Sequence, residues 1–265
     1  MASKEGWLEG LHIPLIQGEY VYGAITNITL TIIIFLIIVT IVGIFARNAL
    51  RDNKKSKLKL FFLTFTKFFD DQLRDAFDGD KEKARKYYPL IVGMFFLILF
   101  GNLFGLIIDW FGLSVMPSLL YYLRPMHSDL NTTLVLALIT VAYMLKIQIQ
   151  TLGFWGALKT YAFNFHGSNF LEKCISVFVG WLHAIGVLAT TASLSLRLFG
   201  NIFAGIILIW VVTALLAGAT GWAFEIGRLA VTPLWFFECF VALIQAIVFM
   251  YLMIAYFKWA GEAHH

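Results

Sequence analysis

Charge is what this chain has least of. Only 14% of its 265 residues are Asp, Glu, Lys or Arg, against roughly 25% in a soluble domain. Hydrophobic residues make up 60%, and the mean hydropathy is +0.81. That shortage excludes an ordinary soluble domain and points to an integral membrane protein. The net charge of +4 is therefore read as a topology signal, and no nucleic-acid partner is expected. Cysteine is nearly absent too. Cys174 and Cys239 lie in apolar segments without CxxC or Cys/His spacing, so they read as small buried hydrophobes. No metal and no cofactor are expected. The stretch MASKEGWLEGLHIPLIQGEYVYG has no basic segment leading into an apolar one and is not rich in Arg and Ser. Neither a cleavable signal peptide nor an organelle transit peptide is expected, and insertion falls to the helices themselves. No inverted repeat of the secondary-transporter kind is visible.

What the chain has is long apolar runs and many aromatics, 17% of the residues. About 20 apolar residues are needed to cross the hydrocarbon core. The pattern predicts an all-α polytopic fold in one membrane domain, residues 1–265, with about five membrane-embedded helices. Residues 1–24 form an external segment and 25–45 the first span. The run ARNALRDNKKSKLK that follows carries six Lys/Arg and one Asp, which places it in the cytoplasm and the N-terminus outside. Residues 46–88 comprise this basic loop and an amphipathic helix on the cytoplasmic surface, with Phe61, Phe62, Phe65, Phe68 and Phe69 at roughly helical spacing. Residues 89–145 form a hairpin. Pro89 opens a span over Leu90–Trp110, Phe111–Asp129 is an external loop, and Leu130–Leu145 returns inward and ends at Lys146. The connector to Lys173 has three lysines and one glutamate, which suits the cytoplasm. Residues 174–258 form a long hairpin ending at Lys258, with AGATGWAFEIGR as its external turn, so the C-terminus is cytoplasmic.

Inside that hairpin stands Arg197, the one formally charged residue between Ile175 and Ala223. A charge at the bilayer centre costs roughly 2.5–3.5 kcal/mol on insertion scales. No proline or charge cluster breaks the run before it, so Cys174–Gly218 is either two upright helices or one long, steeply tilted helix. At about 100° per residue, Asn201, Ser193, Thr190, Gly186 and His183 fall within about 40° of Arg197 on the helical wheel. Small and hydroxylated members of such a stripe also serve close helix packing. Arg197 lies too deep to reach the interface and requires an anion or a water-filled cavity. One source is Glu238, which shares a helix face with Gln245. The other is a second subunit. Arg197 lies about 20 residues before the external turn and Glu238 about 12 after it, so the two should differ in depth. This favours a polar path from outside through Glu238, Asn201 and Gln245 that stops near Arg197.

The stretch SLSLRLFGNIFAG, Ser193 to Gly205, resembles the signature of subunit a, the membrane stator subunit of F-type ATP synthases. The likeness extends through FGNLFGLI, DLNTTLVLAL and FVALIQAIVFMYL, and covers Tyr88 to Phe257. It implies a long tilted pair of helices embracing a rotating ring of subunit c, with a peripheral stalk subunit b and the lipid bilayer as the other partners. It also implies a non-catalytic subunit of a proton-transporting complex in an energy-coupling membrane such as a bacterial inner membrane. By that likeness Arg197 meets the ring carboxylates and separates two half-channels. Asn201, Glu238 and Gln245 match the external one, and Ser193 and His183 the cytoplasmic one. Two positions depart from many bacterial relatives. Ile206 stands where they have Glu, and Glu238 where they have His. His183 can relay protons or donate an interhelical hydrogen bond. Asp129 and His127 can form an external vestibule, or Asp129 can cap the following helix. A stand-alone transporter or channel for an anionic substrate is the alternative, as is a plain membrane anchor.

Overall fold

The computed structural model describes residues 20–22, 25–51, 57–114, 123–161, 170–217 and 222–262. Two short strands, β1 (Tyr20–Tyr22) and β2 (Ile25–Thr26), pair antiparallel. The rest is helical: α1 (Asn27–Arg51), α2 (Lys57–Ala76), α3 (Lys81–Ser114), a 3-10 turn (Met126–Ser128), α4 (Leu130–Tyr161), α5 (Phe170–Ala217) and α6 (Trp222–Glu262). Among the described residues five helices are long and apolar enough to cross a membrane. Only helices and closed barrels satisfy every backbone polar group in hydrocarbon, and the apolar runs here take the first solution.

Several boundaries differ from the sequence expectation. Ile25 and Thr26 belong to β2, and the first span begins at Asn27. Pro89 does not open its span but sits inside α3, which starts eight residues earlier. There Asp80 accepts hydrogen bonds from the Glu82 and Lys83 amides, 3.0 and 3.1 Å, and caps the helix. A good cap outweighs the one backbone bond that a proline removes. Lys146 likewise lies within α4, which continues to Tyr161 across a break at Gly153. Cys174–Gly218 resolves in favour of one helix. α5 runs 48 residues, about 72 Å at 1.5 Å per residue. Part of the expected external turn, Trp222–Arg228, is already helical in α6, and Pro233 lies inside the same helix. The remainder of that turn and most of residues 1–24 lie outside the described residues.

The chain divides into two compact units. The first comprises residues 1–63, 96–132 and 198–246, the second 64–95, 133–197 and 247–265. In the first, α3 receives the connector that leads to α4. A side chain at Gly101 would collide with Met126 and His127, and one at Gly105 with Pro125. These two glycines, four apart, let the connector lie directly on the helix. The Arg124 amide donates to Thr31 Oγ1 of α1 at 3.0 Å. The Trp235 indole of α6 donates to the Leu106 carbonyl of α3 at 2.9 Å. In the second unit, Phe69 and Leu73 of α2 are buried, the former against Phe95 at 5.0 Å between ring centroids. Phe257 of α6 packs against Tyr87 and Tyr143. Lys258 bridges Asp78 at 2.7 Å, and the Tyr251 hydroxyl donates to Gln72 at 2.8 Å. The opposite side of α2 leaves Leu60, Leu63 and Phe68 exposed, as an amphipathic helix does when only one of its apolar faces is packed.

Gly153 has φ 73 and ψ 163, a backbone region open essentially to glycine alone. Gly153→Ala should strain the α4 break by roughly 1–3 kcal/mol. The measurement is a lower melting temperature of the detergent-solubilised protein, with Gly43→Ala as an unstrained control, since nothing lies within 4 Å of a Cβ there.

Candidate ion-path site

The stripe on α5 is only partly buried. Ser193 and Arg197 are exposed, as is Gly186, while Leu194, Leu198 and Ile202 form the packed side of the helix. Arg197 takes part in no ion pair among the described residues. Its neighbour in sequence Ser195 is buried and shares a 3.1 Å hydrogen bond with Thr133 of α4. The packed hydroxyl is therefore Ser195, whereas Ser193 points with Arg197. Gly186 of that stripe, and Gly200 beside it, have nothing within 4 Å of a notional Cβ.

Asn201, Glu238 and Gln245 all belong to the first unit. Glu238 and Gln245 are 6% and 7% exposed. The Nδ2 of Asn201 and the Nε2 of Gln245 are buried without a hydrogen-bond partner among the described protein atoms. Such groups ordinarily hold ordered water or another ligand, because an unpaired buried donor costs about 1–3 kcal/mol. Glu238 faces α5 at Gly205, where a Cβ would lie 2.5 Å from its Cδ and 2.9 Å from Oε1. Gly205 thus makes the space that the carboxyl occupies. Sequence reasoning passed over it. The available signal was its position four residues after Asn201, on the same face of the helix. Ile206 is 3% exposed and packs in the apolar core, so the departure at this position exchanges an ionisable group for core packing.

His183 and Ser193 belong to the second unit. His183 stands between the rings of Trp259, at 4.7 Å and 28°, and Tyr161, at 5.3 Å and 52°. These stacking contacts hold the imidazole. It lines a cavity of about 460 Å³ with Met144, Thr190, Tyr256 and Trp259. Tyr161 in turn donates to the carbonyl oxygen of Gln148.

The two residues considered for a vestibule have different surroundings. Asp129 accepts from the Asn131 amide at 3.1 Å and lies against Thr132 at 3.5 Å, the geometry of a helix cap before α4. His127 is 1% exposed, with its Nδ1 2.5 Å from Asn102 Oδ1 and its Nε2 unpartnered. Burial pushes its imidazole down from 6.5 to about 3, so it is neutral at physiological pH. Among the described residues no group of three or more His, Cys, Asp or Glu could hold a metal.

The fold and these groups define a polytopic α-helical membrane protein that keeps ionisable and amide side chains inside its spans. The family described as ATP synthase A chain matches residues 28–258, and the chain belongs to that family. It is 32% identical over 234 residues to the ATP synthase subunit a of Acinetobacter baylyi, covering 83% of this chain and 76% of that one. A subunit a of Acinetobacter baumannii is 34% identical over 74% of this chain and 69% of its own length. That of Marinomonas is 29% identical, with 83% and 76% covered.

Two outcomes are expected from this geometry. Gly205→Ala should push the Glu238 carboxyl aside and slow proton-driven ATP synthesis, and Glu238→Asp in the same chain should recover part of the rate. A double-mutant cycle on synthesis rates should give a coupling of roughly 0.5–3 kcal/mol. His127 predicts a pH effect on stability. Between its unfolded value of 6.5 and its folded value of about 3, the unfolded chain binds the proton and the folded chain does not. Stability therefore falls as the medium is acidified through that window, by about 1.4 kcal/mol per pH unit. His127→Asn should flatten this part of the slope in thermal unfolding measured from about pH 7 to about pH 5.

Proposed function

We propose that this chain is the non-catalytic, ion-translocating stator subunit of a rotary ATP synthase in a bacterial plasma membrane, with its N-terminus outside and its C-terminus in the cytoplasm. Its partners are a ring of c subunits and the peripheral stalk subunit b. The observation that carries this reading is Arg197, an exposed guanidinium in mid-helix on an otherwise uncharged span, with no ion-pair partner among the described residues. A permanent cation on an apolar span requires an anion or a water-filled cavity, and ring carboxylates supply one anion each.

The physical steps follow from charge alone. A ring carboxylate that reaches Arg197 is favoured in its ionised form and gives up its proton. The same cation repels a proton that would pass straight from one side to the other. The ring must then carry each proton around. One half-path is formed by Glu238, Asn201 and Gln245, and the other by His183 and Ser193. These two groups belong to different compact units of the chain, and Arg197 is the last residue of its stretch before the division within α5. Each elementary charge moved through 100 mV releases about 2.3 kcal/mol, so access alone gives rotation a direction and the subunit needs no bond chemistry of its own. The unsatisfied amides beside Glu238 support a watered outer path. Lysine would serve poorly at 197, since its ammonium deprotonates when desolvated and lacks the planar fork.

The reading of a stand-alone transporter for an anionic substrate uses the same arginine, but supplies no use for Glu238 and its neighbouring amides. The experiment is Arg197→Ala in the assembled complex in membrane vesicles. Proton-driven ATP synthesis should vanish, with the complex still assembled and the c-ring still bound. Coupled synthesis at the wild-type rate would refute the role given to Arg197.

A further inference from the structure

The half-path built on Glu238 leaves one buried acid unused. Asp109, near the end of α3, is 3% exposed, and its Oδ2 has no hydrogen-bond partner among the described protein atoms. It lies in the same compact unit as Glu238. Asp109 and Asn102 are seven residues apart and so share a face of α3, as Glu238 and Gln245 share a face of α6.

The register between these helices comes from Trp235. Its indole nitrogen bonds the Leu106 carbonyl, and its ring lies 6.1 Å from that of Trp110. Leu106 and Trp235 are therefore nearly level. With α3 crossing outward and α6 inward, as the basic loops predict, Asp109 stands about 4.5 Å outward of that level and Glu238 about 4.5 Å inward. Asn102 then falls close to the level of Glu238. Three buried polar atoms without partners belong to this part of the unit: Asp109 Oδ2, Asn102 Nδ2 on the same face of α3, and Nε2 of His127, which bonds Asn102. All are buried, and each needs a hydrogen-bonding ligand that the described protein atoms do not provide. Buried groups of this kind are ordinarily satisfied by ordered water.

We propose that Asp109 is a proton-binding residue, the outer station of the path whose inner station is Glu238. This inference rests on the outer half-path proposed above. A proton from external water forms an O–H bond at the Asp109 carboxylate. That bond breaks as the proton passes through water held by Asn102 and His127, and a new O–H bond forms on Glu238. His127, neutral and bonded to Asn102, orients the amide and does not compete for the proton. The charged group that acts on Asp109 is Arg124 in the connector, and Glu238 on α6 stands about 9 Å further inward along the helices. The Arg124 cation keeps a carboxylate tolerable at this depth between proton arrivals. Ile206 leaves Glu238 without a titrating neighbour on α5; Asp109 provides one from α3.

The test compares Asp109→Asn, Asp109→Glu and Glu238→Gln in the whole complex in vesicles, with subunit content measured beside gradient-driven ATP synthesis from about pH 6 to about pH 9 on the external side. If Asp109 takes up protons, Asp109→Asn should assemble and lower synthesis by roughly tenfold at alkaline external pH, and by less at acid pH. Asp109→Glu should keep most of the rate with a displaced pH midpoint, which a purely structural partner of Arg124 would not show. Slow Glu238→Gln together with a wild-type profile for Asp109→Asn would overturn this inference and leave the half-path standing. Wild-type rates in both would overturn the half-path and the inference with it. Should Asp109→Asn fail to assemble, Asp109→Glu decides, and a wild-type pH midpoint there counts against the proposal.

Discussion

One permanent charge on an apolar surface governs this protein. Arg197 cannot shed its proton, and α5 gives it no ionised neighbour over 48 residues of helix that contain, besides it, charge only at the first turn. The helix is packed through Leu194, Leu198 and Ile202 and shows the opposite stripe. Turning Arg197 inward would have required a partner acid inside the same unit; turning it outward transfers the requirement to another chain. Gly186 on the stripe and Gly200 beside it, both with open space around them, fit the second solution because they allow a neighbouring helix to approach the backbone closely. In the proposed function this incompleteness is useful. A cation already neutralised within the chain would have no preference to exert on a passing carboxylate.

The two compact units handle polar groups differently. The first buries side-chain atoms of Asn27, Asn102, Asp109, His127, Asn201 and Gln245 without partners, whereas the second does so only at Gln148 among the described residues. Packing errors would be expected to scatter such atoms evenly. Their concentration in the unit that holds Glu238 has a physical reading instead, in that water bound to such groups can form a path from atoms that are otherwise costly. In the second unit the ionisable His183 is held between aromatic rings beside a cavity, an arrangement that keeps space open without lining it with amides. The proposed inner path would thus be a roomy exit and the outer one a narrow wire.

The helical class, the number of spans and the exceptional status of Arg197 were legible in the residues, because long apolar runs and a lone charge are unambiguous signals in a membrane chain. Boundaries were less so. Pro89 and Lys146 look like ends by composition, yet α3 and α4 pass through them, since the cap at Asp80 and a glycine break at 153 decide where the helices start and bend. The proposed path residues Glu238, Gln245 and Asn201 stood out by type and spacing. Gly205 did not, because its contribution is an absence of atoms that matters only once Glu238 is opposite it. Asp109 carries no motif and stands beside the expected end of a span, where an acid is ordinarily interfacial. Its burial shows only in the folded chain.

If Asp109 has the proposed role, the outer path can dispense with an acid at position 206. In a membrane bundle, a second ionisable group can be placed beside Glu238 from α5 or from a helix across the unit. Ile206 uses its position for core packing, which stabilises the helix pair at the point where Gly205 has thinned it. The alternative place is α3, whose close glycines admit the 123–129 segment and with it His127 and Arg124. The same close approach brings the His127 imidazole against Asn102 of α3. Replacing Ile206 with an acid would put two carboxylates against one glycine-sized space, and like charges that close cannot both ionise. In the proposed path the acids are about 9 Å apart along the helices, which relieves that conflict and lets each exchange its proton in turn.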